Sequence, residues 1–167
     1  MPLNNQYKTK VRNLIAALEK DLFEREECVR LVLLACFAGK AIFLYGPPGT
    51  AKSMIARKVS LAFESKDDKS TPFFSALMHR FSTPEDIFGP IDIGALKENK
   101  LIRNIEGYLP TAHFAFLDEI WKSSPAILNT LLTIINERLF KQGDKNIPVP
   151  LKGIVCASNE FPQPIKA

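Results

Sequence analysis

The feature that most constrains this chain is the stretch Ala41–Ser53, AIFLYGPPGTAKS, where a short apolar run meets a Gly/Pro-rich loop and then Lys-Ser at the start of a helical pattern. Such a loop is suited to holding phosphate. Gly46 and Gly49 let the backbone turn back on itself so that successive N–H groups point inward at an anion, and the following helix adds the positive end of its dipole. Lys52 then reaches the β- and γ-phosphates of a nucleoside triphosphate, and the Ser53 hydroxyl meets the Mg²⁺ that such a ligand carries. Against the pattern G-x-x-x-x-G-K-[ST] there is one departure, because Ala51 stands where the second glycine belongs. A methyl group is tolerable there if the residue has helical φ and ψ, which is expected of a position just before a helix. The alternative is a plain Gly/Pro turn from strand to helix, which leaves Lys-Ser as coincidence.

With 167 residues, 46% of them hydrophobic, the chain can bury one core, so a single domain is expected. It has no run of eighteen apolar residues, and Met1–Lys10 is polar rather than signal-like. A soluble, cytoplasmic protein is therefore expected. Cys28, Cys36 and Cys156 lie far apart in apolar runs without metal-ligand spacing, the pattern of buried reduced thiols. The net charge of +4 comes from scattered basic residues with no block of five or more, which argues against a nucleic-acid partner.

Along the chain, Val11, Leu14, Ile15, Leu18 and Leu22 recur at helical spacing and predict an amphipathic helix over about Lys8–Leu22. Glu26–Ala38 is apolar nearly all round and reads as a buried helix stopped by Gly39. Ala41–Tyr45 is a first strand of the parallel, doubly covered kind. A helix over about Lys52–Phe63 follows, then the polar loop Glu64–Ser70 and a second strand, Phe73–Met78. Thr83, Pro84, Glu85 and Asp86 form a strong helix start, ended early by Gly89. Between Pro90 and Pro110 the alternation breaks into a hairpin or a strand-helix excursion turning at Lys97–Lys100.

Phe114–Leu117 is a third strand, and it ends in Asp118-Glu119. In a sheet that also carries a phosphate loop, such a pair at a carboxyl end has a specific use: Asp118 holds Mg²⁺, often through water, and Glu119 polarises the attacking water. A merely polar strand end is the bland alternative. Ser124-Pro125 begins a helix to about Arg138 with Ile127, Leu128, Leu131, Leu132, Ile134 and Ile135 on its buried side, and Trp121 before it reads as packing. Leu139–Leu151, around QGDKN, is a hairpin candidate. A fourth strand, Gly153–Ala157, delivers Ser158 and Asn159 to its carboxyl end. There Asn159 either bonds a γ-phosphate or the attacking water, or simply turns the chain before the exit FPQP.

GPPGTAKS (Gly46–Ser53), FAFLDE (Phe114–Glu119) and CASNE (Cys156–Glu160) together resemble the Walker A, Walker B and sensor-1 elements of AAA+ ATPases. They are most similar to the MoxR group, whose loops commonly read GPP-G-x-AKS. The stretches RFSTPEDIFGPI, GYLP and LDEIWKSSPAILNTLLTIINER resemble its RavA branch, and the likeness spans about Leu14–Pro162. It implies an α/β fold, the large subdomain of an AAA+ P-loop NTPase, with a parallel sheet in the order 1-4-3-2 for the strands present and helices on both faces. The nucleotide-binding positions it implies are Gly46, Pro47, Pro48, Gly49, Thr50, Ala51, Lys52, Ser53 and Met54. Ser53 and Asp118 hold the metal, Glu119, Lys52 and Asn159 are catalytic, and the cofactors are ATP and Mg²⁺. Adenine is expected around Phe23–Val29. Residues 90–110 correspond to the helix-2 insert and 139–151 to the pre-sensor insert.

Members of the group are chaperone-like ATPases that form hexameric rings and remodel or mature partner proteins, often beside a protein with a von Willebrand factor A domain. Complete members continue into a fifth strand, an arginine finger and a helical lid with a sensor-2 arginine, whereas this chain ends at Ala167. Neither Arg103 nor Arg138 lies where the finger is expected. A finger contributes about 10³ to 10⁵ in rate, so this chain is expected to turn ATP over poorly, and an uncovered first strand to favour aggregation. The residue that restrains the catalytic glutamate in the group sits near Met78, His79 and Arg80, with His79 a possibility. Two other classes use the same fold: a non-catalytic nucleotide-binding module, and an ATP-driven motor on nucleic acid.

Overall fold

The computed structural model describes residues 5–63 and 72–161. The polar loop expected at Glu64–Ser70 and the end of the FPQP exit lie outside them. Continuous apolar runs become the central strands of a parallel sheet, because a strand covered on both faces has no solvent side to keep polar. Thus β3 (Phe114–Asp118) and β6 (Gly153–Ser158) are buried almost throughout. Their flanking neighbours β1 (Ala41–Tyr45) and β2 (Phe73–Leu77) are partly exposed. The order is β1-β6-β3-β2, all parallel, as expected from the sequence.

Side chains alternate between the two faces of each strand, so each strand feeds two cores. Phe114 and Phe116, with Val155 and Ala157, face a cluster built from α1 (Asn5–Glu19), α2 (Glu26–Phe37) and α3 (Lys52–Leu61), among them Val29, Val32, Ile55 and Val59. Ala115, Leu117 and Ile154 face the opposite cluster. There α4 (Pro84–Phe88), α6 (Pro125–Glu137) and the hairpin β4 (Leu139–Gln142)–β5 (Lys145–Pro148) contribute Phe88, Ile127, Ile134 and Phe140. Among the described residues no helix is long and apolar enough to cross a membrane.

Several details differ from the sequence reading. The first helix starts earlier and stops at Glu19, yet Leu22 still packs into the core from the turn that follows. Leu132, expected on the buried side of α6, is 55% exposed, because the tightly packed stripe runs through Ile127, Leu131 and Ile134 instead. Of the two forms open for the excursion after Pro90, the structure adopts the strand-helix one. A single antiparallel bridge, Ile91–Arg103, closes a loop around the short α5 (Ile93–Lys97). Its start is set by Asp92, whose Oδ1 accepts from the Ala95 N–H at 3.0 Å.

Arg103 anchors this excursion. Its Nη1 donates to Glu85 Oε1 at 2.9 Å and to the Gly89 carbonyl at 2.8 Å, and the hydrogen bond from Arg103 is the main influence holding the Glu85 carboxyl below its ordinary pKa. Gly89 itself has φ +94°, and a Cβ there would lie 2.0 Å from the Asn104 carbonyl oxygen. No rotamer relieves a clash with backbone. Gly89→Ala is expected to destabilise the protein by about 2–4 kcal/mol, read as a lowered midpoint in thermal or urea unfolding.

Candidate functional site

The parallel register brings four strand ends to one edge, with Tyr45 opposite Ser158 and Leu77 opposite Asp118. The β1–β6 ladder runs one bond past β1, since the Gly46 N–H donates to the Ser158 carbonyl at 3.2 Å. The phosphate loop is thereby tied at its first residue to the strand that carries Asn159. It then turns through Gly49 at φ +78°, a value glycine adopts freely. Thr50 Oγ1 closes the turn by donating to the Pro47 carbonyl at 2.9 Å.

Ala51 corrects the sequence reading. It does not have right-handed helical angles: it caps α3 in the left-handed region, at φ 61° and ψ 19°. A side chain there costs roughly 1–2 kcal/mol, so the expected glycine is missing at a position that would have used it. A left-handed residue followed by the right-handed start of α3 is also the arrangement that turns successive N–H groups into one anion-binding concavity. Lys52 opens α3, and its Nζ donates to the Gly46 carbonyl at 2.7 Å and the Pro47 carbonyl at 3.1 Å. The ammonium is thus folded over the loop, held by groups that a phosphate can replace.

Two cavities adjoin the loop. One, of about 540 Å³, has Ser53, Met54 and Arg57 together with Ser75, Leu77 and Asp118 in its walls. This places the hydroxyl and carboxylate expected to hold Mg²⁺ around the same space. The other, of about 670 Å³, joins Glu24–Cys28 to Gly46, Pro47, Thr50 and Lys52. It coincides with the segment expected near adenine, although at the ends of that segment Phe23 is 86% exposed and Val29 is buried in the core. Pro48, Gly49 and Ala51 shape the loop without lining either space.

Asp118 and Glu119 turn the chain sharply. The Asp118 Oδ1 accepts from the Glu119 N–H at 3.0 Å, and Glu119 is itself left-handed, at φ 53°. Strained backbone of this kind persists where the surroundings over-determine it. Here Glu119 Oε2 accepts from Ser158 Oγ at 3.3 Å and lies 3.3 Å from Lys122 Nζ, which also approaches Glu160 at 3.9 Å. The next residue, Asn159, has a buried Oδ1 without a hydrogen-bond partner. A buried amide oxygen left unpaired costs energy and marks a place where a ligand or water belongs.

The sequence reading placed Ser158 at the strand end and Arg25 within the segment near adenine without giving either a role, and did not find Lys122. Arg25 donates through Nε to the Thr50 carbonyl at 3.2 Å, a contact made across the fold that no local spacing announces. Lys122 stands three residues after Glu119, a helical spacing that can pair charges and is the one signal available beforehand. His79 makes no hydrogen bond or ion pair with Glu119; its Nδ1 accepts from the Phe81 N–H at 3.2 Å.

A parallel β1-β6-β3-β2 sheet with a Gly/Pro-rich loop after β1 and an acidic pair at the end of β3 has the fold of the large subdomain of an AAA+ P-loop NTPase. The chain belongs to the MoxR family: the family described as the MoxR domain in the MoxR-vWA-beta-propeller ternary systems matches residues 9–165. Two uncharacterized proteins of Methanocaldococcus jannaschii are 39% and 40% identical, over 92% and 87% of this chain. The matches take in 39% and 38% of those relatives, so the chain spans about two fifths of their length. Among solved structures, a candidate ATPase from Cytophaga hutchinsonii superposes with a TM-score of 0.71 at 20% identity, covering 95% of this chain and 48% of its own. NtrX from Brucella abortus, in complex with ADP, gives 0.56 at 17% identity over 92% of this chain and 34% of its own.

All three cysteines are free. Burial pushes the Cys156 thiol up to about 12 and that of Cys36 to about 11, so both stay protonated and unreactive at neutral pH. Cys28 and Cys156 are both half-buried, but Cys28 lies in the wall of the larger cavity, where burial raises its thiol pKa and the Arg25 charge opposes that rise. A thiol reagent at pH 8 is expected to label Cys28 first in the native protein and all three after denaturation, as read by mass spectrometry.

Proposed function

We propose that this chain binds ATP with Mg²⁺ and carries the residues that hydrolyse it. The observation that supports this most is the linkage at the sheet edge. Gly46 of the phosphate loop bonds the Ser158 carbonyl, the Ser158 hydroxyl bonds Glu119, and Asn159 follows with an unpaired amide oxygen. Phosphate loop, acidic pair and polar sensor thus form one connected unit.

In this reading Lys52 leaves the Gly46 and Pro47 carbonyls to pair with the β- and γ-phosphates, while the N–H groups of Ala51 and Lys52 donate to the remaining phosphate oxygens. Ser53 and Asp118 suit a hard cation that takes oxygen ligands and keeps most of its waters. The metal supplies neutralisation of phosphate charge. Glu119 orients and polarises water through its carboxylate, and Asn159 bonds the γ-phosphate. Gly46, Pro47, Pro48, Gly49, Thr50 and Met54 complete the binding loop, and Glu24–Cys28 border the base. Catalysis of this kind is mostly positioning and electrostatics.

The biological reading extends the family's. We place the chain in a homo-hexameric, chaperone-like ATPase that remodels or matures partner proteins in the cytoplasm, alongside a partner with a von Willebrand factor A domain. The match to a family of MoxR-vWA systems supports that partner class. The RavA-like stretches around Arg80–Ile91 and Leu117–Arg138 are the support for that branch. Nucleic acid is not the expected partner.

The test is titration with a fluorescent ATP analogue and Mg²⁺. Wild type is expected to bind saturably and Lys52→Ala to lose that binding; equal affinity in the two would move the site elsewhere. Glu119→Gln is expected to bind as wild type but to release phosphate about 10²- to 10⁴-fold more slowly. Unchanged release would remove Glu119 from the reaction.

A further inference from the structure

Arg25 precedes α2 and is contributed by a segment far in sequence from the phosphate loop, yet it bonds the loop directly. Its Nε donates to the Thr50 carbonyl at 3.2 Å, and its Nη1 donates to its own neighbour's carbonyl, Glu24, at 2.7 Å. The guanidinium is therefore braced on one side by backbone and presents a fixed N–H to Thr50. Ala51, the next residue, is held in the left-handed region without being glycine.

The two facts are connected by the peptide plane. In a trans peptide the C=O of Thr50 and the N–H of Ala51 point in opposite directions. Fixing the carbonyl toward Arg25 fixes the Ala51 N–H away from it, and with it the first amide of the concavity that continues into α3. A glycine at 51 would adopt this turn at no steric cost; an alanine has to be held there.

We infer that Arg25 is a positioning residue of the nucleotide site, holding the Thr50 carbonyl so that the strained Ala51 turn presents its amide to phosphate. The inference rests on the nucleotide-binding reading above. It explains how a loop with alanine in the glycine position keeps a binding shape, and it assigns to the larger cavity a second task besides bordering the base. Arg25 acts on ATP and ADP alike, because it shapes the loop and is not a sensor of the γ-phosphate.

The experiment compares Mg²⁺-dependent binding of fluorescent ATP and ADP analogues by wild type, Arg25→Ala, Ala51→Gly and the double variant, with Lys52→Ala as reference. Losing one charge-assisted hydrogen bond is expected to weaken both nucleotides about tenfold in Arg25→Ala. Adding Ala51→Gly should restore most of that loss, since glycine needs no brace. A merely structural defect at the start of α2 would not be repaired by a change at residue 51. Wild-type affinity in Arg25→Ala overturns the inference, as does a loss that Ala51→Gly leaves in place. If Arg25→Ala does not fold, as judged by circular dichroism, Arg25→Met keeps the aliphatic stem and is judged by the same two outcomes. Should wild type fail to bind, or Lys52→Ala bind as wild type, the nucleotide-site reading falls and this inference with it. An effect of Arg25→Ala with Lys52→Ala also impaired tests Arg25 alone.

Discussion

The site depends on the pairing of β1 with β6. Neither strand end is a site alone: Tyr45 leads into a flexible-looking Gly/Pro sequence, and Ser158 into a polar turn. Their parallel ladder, prolonged by the Gly46 N–H on the Ser158 carbonyl, sets the start of the phosphate loop against the residues that face Glu119. Parallel strands need a long crossover between them, and everything from α3 to the β4–β5 hairpin lies within that crossover. The acidic pair on β3 is then brought in by the neighbouring β3–β6 ladder. One set of backbone bonds therefore converts three separate sequence motifs into a single edge.

Around that edge the chain keeps three local costs. Ala51 and Glu119 are left-handed without being glycine, and Asn159 buries an amide oxygen without a partner. Comparable features occur elsewhere in the fold: Asp21, Glu24, Asn99 and Arg138 are also left-handed without being glycine, and Ser123, Arg138 and Gln142 each bury an unpaired polar atom. What sets the sheet edge apart is that its three costs adjoin the residues proposed to meet nucleotide, where strained or unpaired groups have a use. Lys52, by contrast, is satisfied within the fold, its ammonium resting on the Gly46 and Pro47 carbonyls.

Much of the architecture was legible beforehand for a plain reason. Parallel strands covered on both faces must be apolar throughout, so AIFLY, FAFL and GIVCA stand out, and their order was implied by the resemblance to AAA+ ATPases that the motifs at their ends carry. The excursion after Pro90 was less legible. Its residues alternate well enough for strands, and the choice of a short helix is made by Asp92 at its cap and by Arg103 reaching back to Glu85 and Gly89. Leu132 was misplaced because helical spacing alone gives a broad apolar stripe, and only the neighbours decide which part of it is covered.

By itself the sequence determined the residue types and their order along the chain: a phosphate loop with Lys52 and Ser53, a strand ending in Asp118-Glu119, and a later strand ending in Ser158-Asn159. Those are properties of local spacing, and local spacing is what a linear reading preserves. Tertiary structure decided the rest. It put Ala51 in a left-handed turn, because the loop has to close between β1 and α3. It paired Glu119 with Lys122 and Ser158 and set Arg25 on Thr50, because these contacts come from side chains meeting across strand ends and turns. The chemistry was written in single segments; its geometry exists only where the sheet brings them together.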